Sequence, residues 1–353
     1  MKKTVLLKVD PEAPNIEKIR FAARFIRSGG LVAFPTETVY GLGADALNAA
    51  AVLGLFEAKK RPLDNPPIVH VCDVMDVYRV AREVPVAAGL LMRRFWPGPL
   101  TLILKRSRVV PDVAVAGLDT VAVRMPRHSV ALALIRESGC LISAPSANLA
   151  GKPSPTMAKH VLEDLDGRID AVLDGGLTVV GVESTVLDMT VDPPQVLRPG
   201  GTPFEALKEV LGGVELNPAV TAERPLPVGE VRSPGLKHKH YAPDANVVVV
   251  EGELPAIVRK VNELVAYYLK RGSRVGVLCT AETVESYRAD IVKSLGSRSD
   301  LGSVARSLFA RLREFDLAGV DVIVAEGVPL EGLGLAVMNR LRRASGYKIV
   351  KAS

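Results

Sequence analysis

Cysteine is scarce: three in 353 residues, Cys72, Cys140 and Cys279, far apart and without a CxxC pair. Such a set argues against a disulfide framework and against a cysteine-rich metal site. Each cysteine lies in or beside an apolar run (IVHVC, CLISAP, VGVLC) and reads as a small buried hydrophobe in a reducing cytoplasm. No apolar run reaches the ~18 residues that a membrane span needs. The opening Met1–Asp10 lacks a long apolar core and a small-residue cleavage site, so no signal peptide is expected. There is no Walker A sequence, which argues against a P-loop NTPase, and no GxSxG, HExxH or clustered His/Cys site. Concentrated charge is missing as well. Lys and Arg number 45 against 39 Asp and Glu, and the excess of +6 is spread thinly, which gives only weak support for an RNA partner.

What is present is a chain long enough for two domains. With 48% hydrophobic and 24% charged residues, it has the composition of a globular protein. The first block alternates strand-like and helix-like segments. Strands are expected at Leu31–Pro35, Pro67–Val71, Leu100–Lys105, Thr120–Arg124, Cys140–Ser143 and Ala171–Leu173. A helix capped by Asn48 is expected from about Ala49 to Lys60, and Asp73 and Ser154 are further candidate caps. This mixture predicts an α/β domain with a mixed sheet over residues 1–211. Residues 212–243 open on Gly-Gly and carry Pro218, Pro225, Pro227 and Pro234 among their prolines without a sustained period, the signature of a linker. They end in SPGLKHKHYAP, which is too specific for a passive tether. From residue 244, strands at Val247–Val250, Arg274–Cys279 and Asp321–Ala325 alternate with helices at Leu254–Lys270, Leu301–Phe315 and Leu335–Ala344. That pattern predicts a smaller, parallel, Rossmann-like C-terminal domain over 244–353. Its Gly332–Leu335 (GLGL) is not a GxGxxG fingerprint.

Polar clusters at strand ends mark the candidate site. Thr36 and Thr38, in PTETVYGLG, supply hydroxyls beside glycines, suited either to a ligand near the backbone or to a tight connection. Lys59 and Arg61 end a helix, where the macrodipole favours cations; they read as a capped helix end or an anion site. Asn65 follows. His70, flanked by apolar residues, reads as a satisfied core residue or a ligand contact. Arg124 interrupts an apolar strand, and a buried Arg needs an anionic partner, either an internal carboxylate or a ligand. Arg198, in VLRPGG, poses the same question. Ser146 and Asn148 lie in a proline-stiffened loop able to cradle an anion or simply to turn the chain. Ser184, in Glu-Ser-Thr before another strand, has the same ambiguity.

In order along the chain, PTETVYGLGADA, KKRPLDNPPIVHV, FWPGPLTLIL, TVAVRMP, SAPSANLAGKPSPT, VESTVLD, VLRPGG and SPGLKHKHYAP resemble the YrdC-like family. The resemblance is closer to its two-domain threonylcarbamoyl-AMP synthase members, and Lys59/Arg61 and Ser146/Asn148 match the family's KxR and SxN signature. It covers the first domain and linker almost continuously. It implies an open, twisted α/β first domain with a basic cavity, a Rossmann-like second domain and a linker closing over the cavity. The implied reaction joins L-threonine, bicarbonate and ATP into threonylcarbamoyl-AMP and pyrophosphate. A tRNA threonylcarbamoyl-transfer complex then uses the product, and Mg2+ accompanies the ATP.

On that resemblance, Lys59 and Arg61 are assigned to bicarbonate and the triphosphate. Thr36, Thr38, His70, Arg124 and Ser184 are assigned to threonine and bicarbonate. Arg61, Asn65, Thr120, Ser146, Asn148, Ser154, Arg198 and Tyr241 are assigned to ATP. Tyr241 would act as a lid, the alternative being a hinge packed on its own domain. Two other readings stand beside the synthase: a basic module that binds RNA without chemistry, and a carbamoyl-phosphate-using transferase. The missing acylphosphatase-like and zinc-finger segments argue against the latter.

Overall fold

The computed structural model describes residues 3–224 and 241–353. Within them the chain divides into two compact units: residues 3–150 and 154–220, and residues 151–153, 221–224 and 241–353. Most of the SPGLKHKHYAP segment lies outside the described residues.

The first unit is built on a sheet whose strands are β1 (Val5–Lys8), β2 (Val32–Phe34), β3 (Gly41–Asp45), β4 (Val69–His70), β5 (Leu100–Lys105), β6 (Thr120–Arg124), β7 (Ile142–Ser143), β8 (Ala171–Asp174), β9 (Thr185–Asp188), β10 (Gln195–Arg198) and β11 (Glu215–Leu216). They run β1-β8-β2-β3-β7-β4-β6-β5-β9-β10-β11. Parallel pairs (β2/β8, β4/β6, β5/β9) are mixed with antiparallel ones (β2/β3, β3/β7, β5/β6), as the α/β pattern predicts. Helices Ile16–Arg27 and Ser129–Ser138 pack with β2 and β8 around Ile19, Ile26, Phe34 and Leu173. Helix Ala49–Lys59 shares a second core with helix Ala158–Leu165. A third core gathers Trp96, Leu102, Val123 and Leu187. Asn48 caps its helix as expected, accepting from the N–H groups of Ala50 and Ala51.

Two expectations are corrected here. Ser154 does not cap a helix: the next helix begins at Ala158, and the Pro155 carbonyl is held by the Tyr40 N–H at 2.8 Å, which keeps it out of a helical ladder. The stretch from 212, read as linker, begins with ordered chain, because β11 adds beside β10 in the first sheet and Pro218–Thr221 forms a helical turn.

The second unit is a five-stranded, all-parallel sheet of β12 (Asn246–Gly252), β13 (Val275–Cys279), β14 (Ile291–Ser294), β15 (Val322–Glu326) and β16 (Ile349–Ala352), ordered β14-β13-β15-β12-β16. Helix Leu254–Lys270 covers one face through Ile257, Val261 and Val265. Phe315, of helix Leu301–Leu317, packs directly on Gly276 of β13 on the other. Alternating strands and helices were legible in advance; β14 and β16, each four residues and only half buried, were not.

At the carboxyl end of β15, Glu326 is a buried hub. Its carboxylate accepts from the Thr280 N–H (2.7 Å), the Thr280 hydroxyl (3.0 Å) and the Tyr287 hydroxyl. Burial, then this carboxylate, pushes the Tyr287 phenol well above its ordinary pKa. Replacing Glu326 with Ala strands these donors inside the unit. The expected cost is about 3 kcal/mol, read as a lowered urea midpoint; an unchanged midpoint would show that the hub is dispensable.

Candidate active site

The loop that follows β2 turns on hydroxyl chemistry. Thr36 Oγ1 receives the N–H groups of Thr38 (3.1 Å) and Val39 (3.3 Å), contacts Thr38 Oγ1 at 2.8 Å and donates to the Val39 carbonyl at 2.7 Å. This local ring holds the chain in a tight connection and places Glu37 between the two threonines, fully buried.

Glu37 answers the question that Arg124 raises. Arg124 Nη2 lies 2.6 Å from Glu37 Oε2, with both side chains withdrawn from water, and Arg124 Nε donates to the Gly98 carbonyl at 3.2 Å. The partner demanded by a buried Arg is thus an internal carboxylate, flanked on either side by the threonines named as ligand contacts. Sequence reasoning named the motif but not Glu37's role. The signal was available, since PTET is an acidic residue in an otherwise hydroxyl-and-glycine turn.

His70 sits beside this pair because β4 and β6 are parallel neighbours with His70 in register with Arg124. Its Nδ1 is 3.1 Å from the Ile68 carbonyl, and its ring meets Phe34 edge-on. Burial first, and the Arg124 charge second, hold its pKa down at about 3. His70 is therefore neutral at physiological pH, a hydrogen-bonding and packing group rather than a cation.

Lys59 ends its helix, and Lys60 follows in the left-handed region (φ 51°), which turns the chain toward Arg61. The Lys59 ammonium is buried and donates to the carbonyls of Ser146 and Asn148. The KxR and SxN motifs, some ninety residues apart in sequence, thus meet directly. The bridge between Gly41 and Ser146 joins them to the loop after β2. Arg61 Nε donates to the Asn65 carbonyl at 2.8 Å, which closes the KKRPLDNPP turn. Thr120, at the start of β6, lies beside Pro66 and Pro67 of that turn.

The third group surrounds Ser184. Arg198 holds it with Nε and Nη2 on its carbonyl (3.2 and 3.0 Å) and Nη2 on its hydroxyl (3.2 Å), while Thr101 Oγ1 meets the same hydroxyl at 2.8 Å. Only glycine fits at position 200: a Cβ there would stand 2.2 Å from the Glu183 carbonyl. Ser154 donates to Glu183 Oε1 at 2.5 Å. The N–H groups of Val180 and Gly181 donate to the carbonyls of Glu37 and Thr38, tying this group to the first. Thr101 is a further member that the sequence reading passed over, and Glu183, quoted there beside Ser184, was given no role of its own. Buried hydroxyls of Ser143, Thr156 and Thr178 stand nearby without hydrogen-bond partners among the described residues.

The first unit therefore brings Thr36, Thr38, Lys59, His70, Arg124, Ser146, Asn148, Ser154, Ser184 and Arg198 into one contact network. Arg61, Asn65 and Thr120 form its outer group. Tyr241 belongs to the second unit. It is buried there, stacked on Phe309 at 5.4 Å, with the Arg340 guanidinium 5.1 Å above its ring.

Two family models account for nearly the whole chain. The Sua5/YciO/YrdC model, described as telomere recombination, matches residues 24–200. The threonylcarbamoyl-AMP synthase C-terminal domain matches residues 203–346. The chain is 54% identical to the threonylcarbamoyl-AMP synthase of Pyrococcus abyssi, over 95% of this chain and 96% of that one. The chain belongs to the threonylcarbamoyl-AMP synthase family. The synthase of Bacillus subtilis is 49% identical, over 97% of each chain. Among solved structures, P. abyssi Sua5 complexed with L-threonine superposes with a TM-score of 0.94 at 53% identity, covering 99% of this chain and all of that one. Escherichia coli YciO, at 24% identity and a TM-score of 0.51, shares the fold over 56% of this chain.

Replacing Glu37 with Ala leaves Arg124 buried and uncompensated, and should cost roughly 3–5 kcal/mol in denaturant titration, with Glu37→Gln costing less. An unaffected midpoint in Glu37→Ala would deny the pair its structural role. His70 has the opposite sign of pH linkage to a partnered histidine. Its folded pKa, about 3, lies below the ordinary value of 6.5, so the unfolded chain takes up a proton that the folded one refuses. Stability from this group is present above pH 6.5 and is lost as the pH falls from 6.5 toward 3. In NMR, the His70 ring resonances should stay unshifted between about pH 8 and pH 5; titration within that window would refute the assignment.

Proposed function

We propose that the network performs the synthase reaction through positioning and charge neutralisation. L-Threonine, bicarbonate and ATP give threonylcarbamoyl-AMP, pyrophosphate and water by adenylyl transfer. The threonine amine captures bicarbonate with loss of water, or carbon dioxide with loss of a proton, as a carbamate; a carbamate oxygen then attacks the α-phosphorus, and the bond to the pyrophosphate oxygen breaks. Reactants and intermediates are almost all anions, so the dominant catalytic need is preorganised positive charge and oriented donors.

Arg124, held by Glu37, is assigned to the threonine carboxylate. Thr36 or Thr38, neutral His70 and Ser184 hold the rest of threonine and the carbamate. Lys59 and Arg61 serve bicarbonate and the triphosphate; Asn65, Thr120, Ser146, Asn148, Ser154 and Arg198 hold ATP. Tyr241 is assigned to ATP as a lid, while its stacking on Phe309 favours a structural anchor. Mg2+ enters as part of the metal–nucleotide substrate. Among the described residues no group of three or more His, Cys, Asp or Glu side chains is placed to cage an ion of its own. The product passes to a tRNA threonylcarbamoyl-transfer complex, with weak direct tRNA contact, in the cytoplasm. No described helix is long and apolar enough to cross a membrane.

The observation that carries this reading is the meeting of Lys59 with the Ser146–Asn148 loop, beside the Arg124–Glu37 pair, in a chain whose relative holds L-threonine. Purified protein should release pyrophosphate from ATP only when threonine and bicarbonate are both present. Arg61→Ala and Lys59→Ala should each lower that release by about 100-fold or more while remaining folded. Release indifferent to threonine would defeat the reading and bring RNA binding without chemistry to the fore.

A further inference from the structure

The second unit carries a concavity that the synthase reaction does not use. In its sheet, β12 connects through helix Leu254–Lys270 to β13, passing over β15. In turn β15 connects through helix Leu333–Ala344 to β16, passing over β12. Adjacent β12 and β15 thus send their connections in opposite directions. The crevice outside their carboxyl ends is the topological switch point, where open parallel sheets take ligands.

A cavity of about 440 Å³ lies there, lined by Glu251–Leu254 after β12, by Gly327–Leu330 after β15, and by Arg298, Met338 and Arg342. Its size falls within the range of small-ligand pockets, roughly 300–1,000 Å³. Close packing shapes it: a Cβ on Gly334 would stand 1.8 Å from the Pro329 carbonyl, so this glycine lets the 327–330 loop lie against the helix that follows.

The charges facing the cavity are not equivalent. Arg342 is buried and spent: Nε and Nη2 donate to the two Glu251 oxygens at 2.7 and 2.9 Å, and Nη1 to the Thr221 carbonyl at 3.2 Å. Lys351 also binds Glu251, at 2.8 Å. Glu251 is therefore neutralised twice over. Arg298 differs. Its Nη1 is pinned to the Gly327 carbonyl at 2.9 Å and its backbone N–H to Glu282 at 2.8 Å, which fixes the guanidinium at the rim, partly exposed. It lines both this cavity and an adjoining groove over Leu301, Gly302 and Leu333, so it stands where the first turns of two long helices open. Leu254, Val328, Leu330 and Met338 give the cavity an apolar wall, and Glu253 supplies a carboxylate at its edge.

We propose that this crevice is a second ligand site, for a small molecule of the nucleotide class, with Arg298 taking its phosphate and the apolar wall its base. A planar base suits the Leu254–Leu330 wall, a carboxylate at Glu253 can accept from ribose hydroxyls, and the anchored guanidinium fork matches a phosphate. All its lining residues belong to the second unit and none to the adenylyl-transfer network, so failure of either reading leaves the other intact.

The test is hydrogen–deuterium exchange on the full chain with AMP, ADP and inorganic phosphate, together with calorimetric titration of wild type and Arg298→Ala. AMP or ADP should slow exchange in segments 251–254 and 327–330. Arg298→Ala should weaken that binding by about tenfold or more while threonine-dependent pyrophosphate release is unchanged. Leu254→Glu, which spoils the wall without touching Arg298, should weaken it too and serves if Arg298→Ala does not fold. No protection of these segments by either nucleotide overturns the proposal. So does equal nucleotide affinity in the folded variants, or binding of inorganic phosphate as tight as that of AMP.

Discussion

The constraint on which the first unit depends is the burial of positive charge. Lys59, Arg124 and Arg198 are withdrawn from water on strand and helix ends. An unpaired buried cation costs several kcal/mol in practice, so each must meet oxygen. The fold meets this with different donors' partners for each. Lys59 has the carbonyls of the Ser146–Asn148 loop, Arg124 has the Glu37 carboxylate and the Gly98 carbonyl, and Arg198 has the carbonyl and hydroxyl of Ser184. Each contact joins segments distant in sequence, so the cations that would serve anionic substrates also stitch the loops around them.

That anchoring bears on the proposed chemistry. A cation fixed by protein oxygens does not reorganise when charge develops on a ligand, which is the condition for electrostatic preorganisation. Neutral His70 fits the same economy: between burial and Arg124 it cannot hold a second positive charge, and so contributes direction rather than charge. The second unit solves a different problem. Its parallel sheet collects strand carboxyl ends on one edge, and buried acids there, Glu326 and Glu251, hold neighbouring loops by accepting from several donors.

Much of the architecture was legible. Leu100–Lys105 and Thr120–Arg124 were bounded to the residue, because a short mostly apolar run and a short alternating one, each too short for a helix, leave little choice. The Asn48 cap followed from side-chain chemistry alone. The Ser154 cap failed because a long-range bond from Tyr40 claimed the Pro155 carbonyl, a competitor that no local pattern encodes. The strand at Glu215–Leu216 was hidden in a proline- and glycine-rich stretch because two residues of pairing leave no period to read.

The sequence by itself determined which groups had to be present. An Arg inside an apolar strand required an oxygen partner, paired hydroxyls required a turn or a ligand, and alternating segments required a parallel second sheet. It named the residues of the KxR and SxN motifs without saying that one grips the carbonyls of the other. Only the tertiary structure chose partners: Glu37 for Arg124, Glu183 for Ser154, Thr101 for Ser184, and Phe309 for Tyr241. The physical reason is that composition and spacing set the cost of leaving a group unsatisfied, whereas strand order sets which oxygen lies within 3 Å of it.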